Sequence, residues 1–319
     1  MRKIKPWDDR IGRRLKLRDL HILLTVAQCG SMGKAAARLA VSQPAVSKAI
    51  AEMEHTLQVR LLDRTAHGII PTLYGRALLK WGLAVFDDLR QAVKEIEFLA
   101  DPTAGEVRIG TTEAMTAGLV PAVIDRLARR YPRIVFTVTP APTIALQYHD
   151  LRERRVDLVL GRMASRIADD DLNAEVLFND PLLVVAGVNS KWHRRRMIDP
   201  AMLGDEPWCL SPRDTFAGAR AVEAFRAMGL DAPRLTVEST TSVQLFVALL
   251  ATGRFLSMLS GSTLKLSGKR LGVKALPVDF PIEPGPVGIL TLKNRTLGPV
   301  AELFVAAARD VAKPLAKGQ

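Results

Sequence analysis

Cysteine is scarce in this sequence: two in 319 residues, Cys29 and Cys209, set far apart. That count excludes a disulfide framework and points to a reducing compartment, with both thiols acting as small apolar fillers. No apolar run approaches the roughly 18 residues that a helical membrane span needs. The N-terminus, MRKIKPWDDRIGRR, is basic, but more charge follows it rather than an apolar segment and a small-residue cleavage site. Export is therefore not expected, and a cytoplasmic location is. Catalytic signatures are missing as well. There is no G-x-S-x-G, no phosphate-binding loop, no G-x-G-x-x-G and no H-E-x-x-H, and the five histidines (His21, His55, His67, His149, His193) are scattered without ligand spacing. No enzyme activity, cofactor or metal is expected.

What is abundant is positive charge. Lys and Arg outnumber Asp and Glu by 45 to 33, and residues 1–80 hold fifteen basic residues against six acidic ones, so a quarter of the chain carries most of the net +12. An excess of this kind argues about partners rather than fold, and polyanions are the first to consider. The length suggests two or three domains at roughly 100 to 200 residues each.

From Leu17 to Leu57 the apolar spacing is helical. Leu20, Leu23, Leu24 and Val26 mark a first helix that Gly30 ends, and Ser31 caps a second, in which Ala35, Ala36 and Leu39 form the buried side. Ser42 caps a third, with Pro44 in the first turn, where its missing N–H costs nothing. Val46, Ile50, Met53 and Leu57 form its apolar stripe, while Gln43 and Ser47 project from another side of its N-terminal end. Two helices joined by about three residues, the second with an exposed polar first turn, predict a helix-turn-helix whose second helix enters the DNA major groove. Gln suits adenine and Ser several base edges. RLLDRTAHGIIPT then reads as a small hairpin, or wing, in which Arg60, Arg64 and His67 suit phosphates.

Thr72 caps a long helix along which Leu78, Trp81, Val85, Leu89, Ala92, Ile96 and Leu99 recur at close to coiled-coil spacing. Such a rod, roughly 40 Å long at 1.5 Å per residue, needs a partner for its seam, and a second copy of the chain is the commonest one. Gly75 and Gly82 weaken the helix. ADPTAGE, residues 100–106, reads as a hinge. Beyond it, EVRIG, IVFTVTP, VDLVLG, LLVVAGV, PWCL, LTVES, FLSML, VKALPV and PVGILTL alternate with helical stretches, which predicts largely parallel sheets covered on both faces. Two such α/β lobes with two crossings between them form a clamshell that takes ligands at the carboxyl ends of its strands.

The stretch LKLRDLHILLTVAQCGSMGKAAARLAVSQPAVSKAIAEMEHTLQVRLLDRTAHGIIPTLYGRALL resembles the winged helix-turn-helix of LysR-type transcriptional regulators. The marks are Gly30-Ser31-Met32, Ala35-Ala36, Leu39, Val41-Ser42-Gln43-Pro44-Ala45, Ser47, Glu54, Leu57, Arg60-Leu61-Leu62, Arg64, Gly68, Thr72 and Gly75. The resemblance extends by layout to the linker helix and to a two-lobed, periplasmic-binding-protein-like (type 2) sensor. The texture of RALLKWGLAVFDDLRQAVKEIEFLADPT and TLKNRTLGPV is also similar to the galactose-binding-protein regulator branch.

The resemblance implies an α/β two-lobed sensor domain behind an N-terminal all-α winged helix-turn-helix and a long linker helix. It divides the chain into a basic extension (1–15), the DNA-binding domain (16–72), the linker and dimerisation helix (73–100) and the sensor (101–319). It implies base reading by Gln43, Pro44 and Ser47, phosphate contacts from Ser31, Lys48, Arg64 and Thr65, and a place for Met32 in the DNA-binding surface. An effector site falls on Thr111, Thr112, Glu113, Thr240, Thr241 and Ser242, suited to a sugar or an organic acid. The implied partners are double-stranded DNA carrying an interrupted inverted repeat, a small-molecule effector, and further copies of the chain in a homodimer or homotetramer. The wing departs from the family pattern at His67 and Pro71, where Arg and Leu are usual. A solute-binding or enzymatic α/β domain with incidental nucleic-acid affinity is the rival reading, and residues 17–72, which it does not need, count against it. KWHRRR at 191–196 and DDD at 169–171 read as charged surface.

Overall fold

The structure is a computed structural model that describes residues 14–316 apart from 67, 142, 164–168 and 240–241. Most of the basic extension, His67, Thr240 and Thr241 therefore lie outside the described residues. The chain forms two compact units, divided between Arg90 and Gln91.

In the first unit, α1 (Leu17–Cys29), α2 (Met32–Arg38) and α3 (Gln43–Leu57) pack around Leu23, Val26, Ala35, Val46, Ile50 and Met53. The caps stand where the sequence places them. Gly30 is left-handed at φ 63°, and its N–H donates to the Val26 carbonyl. The Ser31 hydroxyl accepts from Lys34 N, and that of Ser42 from Ala45 N. α2 ends in a Schellman turn, with Val41 N donating to Ala36 O and Ala40 N to Ala37 O. That turn forces Ala40 to φ 53°, a left-handed conformation that L-residues other than Gly rarely take.

The wing pairs β1 (Leu62–Thr65) with β2 (Gly68–Pro71), Arg64 opposite Ile69. It is tied down at both ends. Glu54 Oε1 accepts from Leu61 N at 2.7 Å, and Gly30 O accepts from Ile69 N at 2.9 Å. Gly68, at φ 124°, lies so close to Gly30 that a Cβ would sit 2.8 Å from its carbonyl oxygen. Thr72 then caps α4 (Leu73–Ala100) through Gly75 N. The two glycines of this helix have a packing reason: a Cβ would meet Leu61 O at 2.0 Å from Gly75, and Leu20 Cδ1 at 2.9 Å from Gly82.

The second unit contains two five-stranded sheets. β3 (Ala104–Thr111), α5 (Glu113–Thr116), α6 (Leu119–Ala128), β4 (Arg133–Pro140), α7 (Ile144–Arg152), β5 (Leu158–Arg162) and β6 (Leu172–Asp180) begin lobe 1. The chain crosses into lobe 2 as β7 (Leu182–Gly187), β8 (Trp208–Leu210), α8 (Phe216–Ala227), β9 (Leu235–Glu238), α9 (Val243–Ala251), β10 (Leu256–Ser260), α10 (Gly261–Leu271) and β11 (Val273–Ala275). It returns to lobe 1 as β12 (Gly285–Leu292) and α11 (Pro299–Ala316). The strand orders are β4-β3-β5-β12-β6 and β11-β7-β10-β8-β9.

The sheets are largely parallel, as the sequence pattern predicts, with one reversed strand in each. β3, β4 and β5 are parallel, as are β8, β9 and β10, but β12 runs antiparallel to β5 and β6, and β7 antiparallel to β10 and β11. The reversed strands are those by which the chain enters a lobe from the other, β7 and β12: each follows a crossing without the helix that restores direction between parallel strands. Two of the longer elements went unread in the sequence. LNAEVLFND forms edge strand β6, whose exposure alternates imperfectly and whose register slips opposite Val287 and Gly288 of its partner. GSTLKLSGKRL forms α10, a serine- and glycine-rich stretch that Ser260 caps through Thr263 N.

Candidate functional site

Two features could carry function, one in each unit. In the first unit, Gln43, Pro44 and Lys48 are exposed on the outer side of α3 and Ser47 is half-buried, while Val46, Ala49, Ile50 and Met53 bury the opposite stripe. A Cβ built on Gly33 would stand 3.6 Å from the Gln43 amide oxygen and 3.9 Å from the Ser31 hydroxyl. The first turns of α2 and α3 thus share one surface, and Ser31 and Met32 lie half-buried at its edge. Helix N-termini of this kind attract anions. Arg64 and Thr65 are exposed on the wing strand β1, where the Thr65 hydroxyl donates to Gly68 O at 3.0 Å. Lys48 lies 3.9 Å from Glu52 in an exposed pair that leaves it available to a stronger anion. The surface offers uncharged hydrogen-bonding groups at its centre and cations at its margin, which suits base edges flanked by phosphates.

Helix α4 leaves most of its seam bare. Trp81, Ile96 and Leu99 are about two-thirds exposed or more, Val85, Leu89 and Ala92 are also exposed, and Leu78 alone of the seven is half-buried.

In the second unit, a cleft of about 400 Å³ opens between the lobes. The first turns of three helices face it: Thr143 and Ile144 of α7, Thr215 and Ala217 of α8, and Ser242 and Val243 of α9. Thr112 and Glu113 line it too, and so does Ser242, whose hydroxyl accepts from Leu245 N at 3.0 Å. Thr111 does not. It is fully buried and its hydroxyl donates to Leu160 O at 2.7 Å, so it ties β3 to β5 instead of facing a ligand.

The sequence reading missed Arg162, Ser211, Asp214, Thr215 and Phe246. Arg162 had a readable signal, since it is the first charge after the apolar run of β5, at the carboxyl end where ligands of such sheets bind. Its guanidinium is buried, and burial lowers its pKa from the ordinary value, with Asp180 opposing the fall and Arg220 adding to it.

Other charges of this unit are structural. Asp157 is buried among Arg108, Lys94 and Arg295. Burial alone would raise its pKa, but the hydrogen bonds and charge of Arg108, with help from Lys94, outweigh it and hold the carboxyl at about 2. The acidic run reads as surface, with Asp169 and Asp171 accepting from Arg152. KWHRRR forms a 3-10 turn over Lys191–Arg194 that buries Trp192. Burial pushes the Cys209 thiol up to about 11, which makes it inert. Among the described residues no group of His, Cys, Asp and Glu could hold a metal, and no helix is long and apolar enough to cross a membrane.

Comparison with known proteins agrees with this geometry. A family described as bacterial regulatory helix-turn-helix protein, lysR family, matches residues 17–76, and the LysR substrate binding domain matches residues 100–313. The HTH-type transcriptional regulator GbpR of Azospirillum brasilense is 28% identical over 297 residues, 93% of this chain and 86% of its own length. The transcriptional dual regulator GltC of Bacillus subtilis is 26% identical over 291 residues, 91% of this chain and 95% of its own. Among solved structures, full-length OxyR C199D from Pseudomonas aeruginosa superposes with a TM-score of 0.66 at 22% identity, covering 94% of this chain and 97% of that one. CbnR in complex with its target DNA gives 0.62 at 20%, covering 93% and 100%. With an exposed helix-turn-helix face in one unit and a clefted two-lobed sensor in the other, the chain belongs to the LysR family, as a DNA-binding transcriptional regulator with an effector-binding domain.

Proposed function

We propose that this regulator reads base edges with Gln43, Pro44 and Ser47 and grips the DNA backbone with Ser31, Lys48, Arg64 and Thr65, with Met32 beside them in the same surface. The observation that carries the reading is the polar, exposed first turn of α3, held from behind by a fully buried apolar stripe. The division of labour runs along the chain: residues 16–72 bind DNA, 73–100 form the rod, and 101–319 sense a small molecule. The bare seam of α4 pairs with that of a second copy, and the resulting two-fold symmetry calls for an operator that is an interrupted inverted repeat. Thr112, Glu113 and Ser242 contact an effector, a sugar or an organic acid, in the cleft between the lobes. The chain acts in the cytoplasm and is not an enzyme.

A nuclease footprint on the intergenic DNA beside the protein's own gene tests this reading. The expected result is a protected inverted repeat whose hypersensitive bands shift when one candidate compound is added. Uniform coating that vanishes as salt rises would reduce the binding to charge alone and overturn it.

A further inference from the structure

Both strands that connect the lobes converge on one side chain of the cleft. The chain leaves lobe 1 at Asp180, the last residue of β6, and re-enters at Gly285, the first of β12, and these two residues pair across the sheet. Arg162, at the end of β5, lines the cleft and is 8% exposed. Its Nη1 donates to the carbonyls of both connecting strands, to Asp180 O at 3.1 Å and Gly285 O at 3.2 Å, and its Nη2 stands 3.8 Å from Asp180 Oδ2. Asp180 is itself held by lobe 2, its carboxylate accepting from Ser262 N at 2.9 Å and from the Ser262 hydroxyl. The guanidinium that a ligand meets in the cleft is thus the group that fastens the hinge.

The surroundings favour an anion there. Arg220 of α8 adds positive potential at Arg162, and the first turns of α7, α8 and α9 turn their N–H ends toward the same space. Two carboxylates of the lining, Glu113 and Asp214, oppose an anion, but Asp214 is exposed and its effect is screened. Met115, Ile144, Val243 and Phe246 make much of the rest apolar, which suits a small hydrocarbon body better than the many hydroxyls of a sugar.

We propose that the effector is a small organic acid whose carboxylate engages the Arg162 guanidinium and, by competing with Asp180 and the two backbone carbonyls, resets the hinge between the lobes. Arg162 is then both the specificity-determining residue and the coupling between occupancy and lobe geometry. The inference rests on the cleft being the effector site.

The test uses the full-length protein, melted with acetate, succinate, citrate, benzoate or galactose at constant ionic strength, with hydrogen exchange followed at the amides that flank Pro181 (residues 179–183) and over residues 276–284. At least one carboxylate at a hundredfold excess over its Kd should raise the melting temperature by roughly 5–10 °C and change exchange at the crossings, and galactose should do neither. Arg162→Lys keeps the charge but loses the planar fork, so the carboxylate should bind about tenfold more weakly and the exchange change should disappear. Asp180→Asn removes the internal competitor and should tighten binding by about tenfold, and Glu113→Gln, which leaves the hinge untouched, should tighten it by a smaller factor. Stabilisation by galactose instead of a carboxylate, no response to any of the four acids, or an unaltered response in Arg162→Lys would overturn the proposal. Asp180→Asn and Glu113→Gln both weakening the acid would overturn it too. None of these results touches the ligand-free footprint, whose failure would count against the regulator reading and leave the carboxylate chemistry to the melting data.

Discussion

In residues 14–90 most of the side chains singled out for DNA contact lie exposed with few internal bonds, whereas in residues 91–316 the decisive charges lie buried against one another. Gln43, Pro44, Lys48 and Arg64 stand in solvent on a frame of helices. Asp157, Arg162, Arg295 and Asp180 stand at most 8% exposed inside theirs. The difference follows from the partner each unit meets. DNA is a large, stiff polyanion that arrives from outside and needs a preformed, unsatisfied surface. A small ligand must compete with the protein's own bonds, so its receptor can store a second arrangement in them.

The largest test of this contrast is Asp157→Ala. It removes the one carboxylate shared by Lys94, Arg108 and the fully buried Arg295, and stranding those charges should cost the second unit roughly 3–5 kcal/mol, read as a lowered melting temperature. The pH dependence has a definite sign. Because the folded pKa of Asp157 is depressed from 3.8 to about 2, its stabilising contribution is fully present above pH 4. About 2 kcal/mol should be lost as pH falls from there through 2, visible in acid titration of wild type and absent from the variant.

Gln43→Ala should leave stability unchanged and cost roughly 1–3 kcal/mol of affinity for the operator alone, measured against a scrambled duplex. Equal loss on both duplexes would mean that Gln43 grips the backbone. Ala40→Gly relieves the left-handed strain in the Schellman turn and should stabilise the first unit by about 1 kcal/mol in chemical denaturation, with operator choice unaltered. Arg64→Ala should weaken every sequence alike and lower the slope of log affinity against log salt by about 1. The smallest effect belongs to Glu52→Gln, which breaks an exposed pair with Lys48 and should change stability by less than about 0.5 kcal/mol.

The same contrast explains what the sequence discloses. The first unit is built from local rules. Ser31, Ser42 and Thr72 act on N–H groups three residues away, and Val46, Ile50 and Met53 share a face by helical period, so caps, helices and exposed turn could all be read from the string. Even there, the bond from Ile69 N to Gly30 O joins distant residues and leaves no local trace. In the second unit most strands and helices are legible by pattern, but the reversal of β7 and β12 is not. Nor is the role of Arg162, which depends on Asp180 and Gly285, the latter more than a hundred positions away. Thr111 shows the converse failure: its position beside Thr112 suggested a ligand contact, while the pleat of β3 turns its hydroxyl inward to Leu160.

The bare seam of α4 sets a problem of identity as well as of assembly. A row of Trp81, Val85, Leu89, Ile96 and Leu99 attracts any rod of like spacing, including those of other chains of this architecture that share its compartment. Affinity alone would let them mix, and mixed pairs would present mismatched reading heads to every operator. Faithful pairing therefore has to be written in more than the apolarity of the row: in the bulk of Trp81, the order of large and small residues after it, and the charges of Arg90, Glu95 and Glu97 beside it, which can repel a stranger more cheaply than they attract a twin.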